Sequence, residues 1–259
     1  MTLLVDSHCH IPMIEGEEGA DAIVASALEH GVGHMLCVSV EQQDYPVLLD
    51  LAERYECISA SIGIHPNTEM NGEVDVAHLV ENAADPRVVA IGETGLDYFR
   101  SQGDLEWQRD RFRTHIRAAR EIGKPIIIHC REAKDDVIDI LREEKAGEVG
   151  GVMHCFVEDL ETAKRAMDLN FLISFSGIVT FRNARDLKEV ARQVPLASLL
   201  VETDSPYLAP MPYRGKQNQP AYVRYVAEHI AELRDITFEE LANATTANFN
   251  RVFRPALDV

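Results

Sequence analysis

The stretch Leu3-Leu4-Val5-Asp6-Ser7-His8-Cys9-His10 is an apolar run that ends in two histidines. Side chains alternate between the faces of an extended strand, so Asp6, His8 and His10 share one face while Ser7 and Cys9 share the other. Two imidazoles on one face, about 7 Å apart along the backbone, are able to converge on one cation. Taken alone, the pair is equally consistent with two hydrogen-bonded histidines at a domain edge. The rest of the chain decides between these readings.

The same grammar, an apolar run closed by a polar residue, recurs along the chain. Strand-like runs fall at Leu3–His10, His34–Val40, Cys57–His65, Val88–Gly95, Pro125–Arg131, Gly151–Phe156, Phe171–Ile178 and Leu199–Asp204. Helical stretches fall near Ala20–His30, Gln42–Tyr55, Val74–Ala84, Leu105–Ile122, Ala133–Glu144, Leu160–Asp168, Ala184–Gln193 and Ala221–Leu233. Alternation of this kind implies parallel pairing with right-handed crossovers. Eight such units in 259 residues predict an α/β fold, a (β/α)8 TIM barrel forming a single domain over residues 1–259. An extra C-terminal helix near Phe238–Val252 opens with Thr237 and Glu240 at capping-box spacing. An open doubly wound sheet is the runner-up, but no Gly-rich phosphate turn follows the first strand. The helix from Leu105 shows its register most clearly. Leu105, Phe112, Ile116 and Ala119 share one face, Asp104 is placed to cap, and Gly123 with Pro125 ends it.

Charge narrows the function classes. With 43 acidic against 25 basic residues the net charge is −18, a surface that repels long nucleic acid. A phosphate-bearing substrate therefore needs a local cationic pocket, which metal ions supply. Five scattered cysteines give no disulfide framework. Cys9, Cys130 and Cys155 each follow a histidine, and alternation reads them as small packing residues rather than ligands. No apolar run is long enough to span a bilayer and no basic, apolar leader opens the chain. The expectation is a cytoplasmic protein without membrane contact or an obligate protein partner.

Barrel chemistry sits at the C-terminal strand ends, where the βα loops meet. There the sequence offers His8 and His10, then His65, Glu93 followed by Asp97, His129, His154, and finally Glu202 and Asp204. Carboxylates and imidazoles crowd unfavourably at one mouth unless a cation neutralises them. Six donors, His8, His10, Glu93, His129, His154 and Asp204, exceed the three of a usual catalytic zinc. They suit two divalent cations (Mg, Mn or Zn) bridged by one carboxylate, Glu93. The inner strand ends carry no lysine able to act as a carboxylated bridge, since Lys124 precedes its strand.

Seven motifs in order resemble the TatD-type deoxyribonucleases, and within them the YcfH-like branch. They are Asp6-Ser7-His8-Cys9-His10, Gly63-Ile64-His65-Pro66, Gly92-Glu93-Thr94-Gly95-Leu96-Asp97-Tyr98, Ile128-His129-Cys130-Arg131, His154-Cys155-Phe156, Glu202-Thr203-Asp204-Ser205-Pro206-Tyr207-Leu208-Ala209-Pro210 and Arg214-Gly215-Lys216-Gln217-Asn218-Gln219-Pro220. The likeness runs from Val5 to Phe253. It implies a metal-dependent hydrolase on a (β/α)8 barrel, typically a nuclease, with the same six residues at the ligand positions. Two departures stand out. Ile11-Pro12 replaces a segment in which many relatives carry an acidic residue, and Gln217 lies where many carry a charge.

The mechanism expected is phosphodiester hydrolysis by a metal-activated water, with Asp204 both binding metal and accepting the water's proton, and Glu93 as its catalytic companion. Asp6 and Glu202 lie one layer deeper and orient imidazoles or waters, or else serve only as buried polar contacts. His65, Arg131, Arg214 and Lys216 are candidates for gripping phosphate. Tyr98, Phe99 and Arg100 offer rings able to stack on a base or simply to pack. His30, His78, His115 and His229 read as structural, and Trp107 as a helix-packing residue. The acidic surface favours end-directed cleavage of single-stranded DNA, exonuclease-like and 3′–5′, over attack on duplex. Two alternatives are hydrolysis of an amide or ester, as in cyclic-amide hydrolases or aminoacyl-tRNA deacylases, and a non-enzymatic metal-binding protein.

Overall fold

The computed structural model describes residues 4–16, 19–69 and 72–253. The apolar runs form eight strands: β1 (Leu4–Cys9), β2 (Val32–Cys37), β3 (Ile58–Ile62), β4 (Val88–Asp97), β5 (Ile126–Arg131), β6 (Gly151–Met153), β7 (Phe171–Phe175) and β8 (Leu199–Val201). The α-helices are α1 (Gly19–Glu29), α2 (Tyr45–Arg54), α3 (Val76–Asn82), α4 (Glu106–Ile122), α5 (Lys134–Glu143), α6 (Leu160–Met167), α7 (Arg185–Gln193), α8 (Val223–Arg234) and α9 (Phe238–Phe253). Strand order follows chain order, with parallel pairs such as β1–β2, β4–β5 and β7–β8. This is the (β/α)8 topology that the alternation predicts, with α9 as the extra helix. Among the described residues, no helix is long and apolar enough to cross a membrane.

Strands β6 and β8 stop at Met153 and Val201, one residue before His154 and three before Asp204. The cause is local: Cys155 and Asp204 sit at φ 43° and 56°, left-handed conformations that a strand cannot continue through. His154 and Asp204 therefore belong to the βα loops rather than to the pleat.

Two compact units are distinguishable, one carrying β1, β2, β8 and β7 from Ile173 on, the other β3 to β6. In the first, the exit of β1 is tied to the segment after β8. The His10 N–H donates to the Ser205 carbonyl at 2.8 Å and the Asp204 N–H to the His8 carbonyl at 2.9 Å. Helix α9 opens on the expected capping box, Glu240 N–H to Thr237 Oγ1 at 3.1 Å and Thr237 N–H to Glu240 Oε2 at 2.8 Å. Asn248 on the same helix donates to the carbonyls of Leu196 and Leu199 at the entry of β8.

In the second unit β4 is buried along its whole length, as expected of a parallel strand covered on both faces. Its two glycines set the spacing to β5. Gly92 and Gly95 both lie at φ 141°, and a Cβ on Gly95 would collide with the His129 carbonyl oxygen. Helix α4 starts one residue later than Asp104 predicts, because Leu105 is the N-cap. Asp104 still accepts the Glu106 N–H at 3.1 Å. Phe112, Ile116 and Ala119 are fully buried, and Gly123 closes the helix at φ 69°. Three polar residues of α4 are buried with them, Gln108, Arg111 and His115, and Gln108 Oε1 accepts the Asp97 N–H at 3.0 Å. Arg111 donates to the His65 and Thr68 carbonyls and pairs with Glu73. His115 accepts the Ile64 N–H on Nε2 at 3.1 Å and donates from Nδ1 to the Arg111 carbonyl at 2.8 Å. Trp107 does not pack between helices as expected; it is exposed, with the Arg111 guanidinium 4.9 Å from its ring centre. Lys124 caps the carbonyls of Ala83, Asp85 and Val88 at the entry of β5, the end opposite the site.

Candidate metal centre

The first unit gathers His8, His10 and Asp204. Period-2 alternation along β1 delivers the two imidazoles to one side, with His8 Nε2 and His10 Nε2 3.2 Å apart. Asp204 Oδ1 lies 3.8 Å from the first and 3.4 Å from the second. A cation with four ligands at ~2.05 Å separates them by roughly 3.3 Å, so these three donor atoms already have the spacing of a coordination sphere. Lone pairs at that range repel unless a proton or a cation lies between them.

Below this cluster Asp6 is fully buried. Its carboxylate accepts the Thr203 N–H at 2.8 Å, the Thr203 hydroxyl at 2.6 Å and the His8 N–H at 3.3 Å. Burial pushes the Asp6 carboxyl up to about 8, against the pull of the Thr203 hydrogen bonds. Asp6 thus fixes the residue preceding Asp204, and the left-handed turn at Asp204 aims the carboxylate at the imidazoles. Glu202, also buried, accepts the Cys155 N–H on Oε1 at 2.7 Å.

The second unit gathers His65, Glu93, His129 and His154. Glu93 Oε1 lies 2.9 Å from His129 Nδ1, 2.9 Å from His154 Nε2 and 3.6 Å from His65 Nε2. Burial alone would push the Glu93 carboxyl up, but the facing imidazoles of His154, His65 and His129 hold it well below the usual carboxylate range. His129 reaches a second carboxylate, with Nε2 3.2 Å from Asp97 Oδ2. Burial lowers the His129 pKa, yet the Asp97 and Glu93 carboxylates raise it above its ordinary value. Asp97 is held low against its own burial by His129, the Arg100 N–H and Asn67. Burial drives His65 down to about 4, which keeps that imidazole a neutral, electron-pair donor.

Each unit therefore holds a cluster of three donor atoms within 4.8 Å of one another, His8–His10–Asp204 and His65–Glu93–His129. Nitrogen and carboxylate oxygen, with no thiolate, is the donor chemistry of a catalytic divalent cation rather than of a structural zinc. Expected as a phosphate grip, His65 stands among the donors themselves. The role of Asp97, an imidazole-orienting carboxylate, went unassigned at the level of sequence, although it shares a face of β4 with Glu93. Of the remaining expected contacts, the Arg131 guanidinium stacks over Phe99 at 4.0 Å. Arg214 and Lys216 are exposed in the loop after β8, over Phe181 at 4.2 Å and Tyr213 at 5.8 Å. Cys9 is buried and donates to the Leu36 carbonyl, consistent with packing. Cys155 instead sits half-buried against Ser176, because its left-handed backbone breaks the alternation.

Comparison with known proteins gives the same picture. A family model of TatD-related DNases matches residues 5–254. The chain is 49% identical over 253 residues to the uncharacterized metal-dependent hydrolase YcfH of Escherichia coli (strain K12), covering 96% of this chain and 95% of that protein. It is 43% identical over 253 residues to the uncharacterized metal-dependent hydrolase YabD of Bacillus subtilis (strain 168), covering 97% and 99%. Among solved structures, the TatD homologue YjjV of Escherichia coli K12 superposes with a TM-score of 0.89 at 28% identity, covering 97% of this chain and 98% of that one. Fold, donor clusters and relatives together define a metal-dependent hydrolase built on a (β/α)8 barrel. The chain belongs to the TatD-related DNase family.

Proposed function

We propose that this hydrolase is a deoxyribonuclease that removes nucleotides from the 3′ end of single-stranded DNA. The observation that carries the reading is the pair of His/carboxylate clusters, His8–His10–Asp204 and His65–Glu93–His129, in a family named for DNase activity. His8, His10 and Asp204 hold one divalent cation, and Glu93, His129 and His154, with His65 beside them, hold another. The imidazole-rich donor set favours Zn or Mn over Mg. Bound there, divalent cations supply the positive charge that makes water a nucleophile at neutral pH and offsets the charge of the pentavalent transition state.

The chain's own residues do the rest. Asp204, whose side chain is 14% exposed, is the carboxylate open to a water and accepts its proton as the water oxygen bonds to phosphorus. The P–O bond to the leaving sugar breaks, and the departing oxygen takes a proton from solvent while Asp204 returns its own to solvent. Asp6, through Thr203, and Glu202, through the Cys155 N–H, hold the backbone that presents these groups. Arg131 in the second unit, and Arg214 and Lys216 in the first, are the cations offered to phosphate oxygens. The acidity of the chain, net −18, disfavours wrapping a duplex and leaves a strand end as the substrate.

The test is nucleotide release from 3′-labelled single-stranded DNA by the purified protein, before and after chelation and metal re-addition, alongside aminoacyl-tRNA and cyclic amides. Metal-dependent release, lost by at least about 100-fold in Glu93→Ala together with bound metal in elemental analysis, is the expected result. Turnover of an amide or ester without DNA cleavage overturns the nuclease reading. Failure of metal add-back to restore any turnover overturns the enzyme itself.

A further inference from the structure

Phe99, the second residue after β4, is 54% exposed, an unusual place for a phenyl ring at the rim of a buried strand. Its backbone is nonetheless fixed. The N–H groups of Phe99 and Arg100 both donate to Asp97 Oδ1, at 3.1 and 2.9 Å. The other oxygen of Asp97 holds His129 Nε2 at 3.2 Å and Asn67 Nδ2 at 2.8 Å. One carboxylate thus indexes the exposed ring to an imidazole of the His65–Glu93–His129 cluster. Pairing of β4 with β5 sets Asp97 opposite Arg131, and the Arg131 guanidinium lies 4.0 Å from the Phe99 ring centre.

Charge separates this arrangement from ordinary packing. In a chain with 43 acidic residues, Arg109, Arg111, Arg113, Arg117 and Arg120 all pair with carboxylates. Among the described residues Arg131 and Arg100, on either side of Phe99, form no ion pair. The neighbouring Tyr98 is already committed, its hydroxyl donating to Asp136 at 2.6 Å and accepting from Arg109 at 2.9 Å. What remains is an exposed ring, two uncompensated guanidinium groups and a donor cluster, all held in register by Asp97.

Building on the nuclease reading above, we infer that Phe99 and Arg131 form the platform on which the terminal unpaired nucleobase stacks, with Arg131 turned to the phosphate beside it. Stacking is tolerant of base identity but needs a base free of its partner. The platform therefore selects frayed or single-stranded ends over duplex, and Phe99 is a specificity-determining residue rather than a catalytic one.

The experiment compares wild type with Phe99→Ala and Phe99→Trp on an oligonucleotide with a normal end and on one whose terminal nucleotide is abasic. Phe99→Ala is expected to raise KM for the normal end about tenfold with kcat within about twofold, and Phe99→Trp to restore it. On the abasic end, wild type is expected to show the raised KM already, with no further rise in Phe99→Ala. A parallel binding measurement uses a phosphorothioate oligonucleotide ending in 2-aminopurine, whose emission wild type quenches and Phe99→Ala does not. Equal KM for Phe99→Ala and wild type on normal ends overturns the platform and leaves the nuclease reading intact. Should wild type cleave no DNA, the nuclease reading falls, and the quenching result alone upholds or overturns the platform.

Discussion

His129 is held between two carboxylates, its Nδ1 2.9 Å from Glu93 Oε1 and its Nε2 3.2 Å from Asp97 Oδ2. With a cation in the donor cluster, an imidazole so placed would give its Nε2 proton to Asp97 and leave the Nδ1 electron pair for the metal. Asp97→Asn keeps a hydrogen-bond acceptor but removes the charge that makes His129 a strong donor. Metal affinity of this cluster is expected to fall 10- to 100-fold. Calorimetric titration of metal-stripped protein checks this, and saturating metal should recover most of the turnover. Unaltered affinity would remove Asp97 from the metal site.

Asp204 adopts φ 56°, a conformation that Asn and Asp tolerate far better than other non-glycine residues. Asp204→Asn should therefore melt within a few degrees of wild type in the presence of chelator while losing about 10²- to 10⁴-fold in kcat. Asp204→Ala should show the same loss of rate with about 1 kcal/mol of added instability from the backbone. Melting curves and initial rates on the two variants separate charge from strain, and a fully active Asp204→Asn would end its role as proton acceptor.

Gly95 presses β4 against the carbonyl of His129 at a φ of 141°. Gly95→Ala forces the strands apart just where His129 is presented. A loss of about 2 kcal/mol or more and weakened metal binding are expected. Gly103→Ala is the control, since its φ is 87° but nothing lies within 4 Å of the added methyl. Urea unfolding of both variants gives the comparison, and equal destabilisation would contradict the packing argument.

His115 is neutral inside the second unit, driven down to about 4 by burial and bonded at both nitrogens. Its unfolded pKa is near 6.5. Its contribution is thus complete above that pH and declines as the unfolded chain takes up the proton between 6.5 and 4, by up to about 3 kcal/mol. His34, also lowered to about 4 by burial, adds to the same trend. The difference between wild type and His115→Gln isolates one histidine. The urea midpoint of wild type should fall more steeply from pH 7 to pH 4.5 than that of the variant, and parallel curves would refute the assignment.

The strands were legible because each is an apolar run, and most of the candidate ligands because the runs of β1, β3, β4, β5, β6 and β8 lead into His, Glu or Asp, whereas those of β2 and β7 supply no candidate ligand. Alternation correctly put His8 and His10 together and separated them from Cys9. It failed at Cys155 and Asp204, where a left-handed residue ends the pleat, a conformation that sequence period does not encode. Asp97 was visible on the Glu93 face of β4, but its pairing with His129 depends on the β4–β5 register, which only the fold supplies. The buried Arg111 and His115 of α4 were invisible in purpose, since each meets a backbone group at Ile64 or His65, more than 40 positions away in the chain.

Gln217 meets the backbone of Glu15 with both ends of its amide, nitrogen to carbonyl at 2.8 Å and oxygen to N–H at 2.7 Å. A carboxylate has no proton to give and an ammonium no lone pair to offer, so neither reproduces both contacts. A charged residue at this place would leave the segment bearing Arg214 and Lys216 without its paired contact to Glu15. In this chain the amide ties that loop to the segment after β1, so a relative with a charge at this place should differ in how far the loop swings.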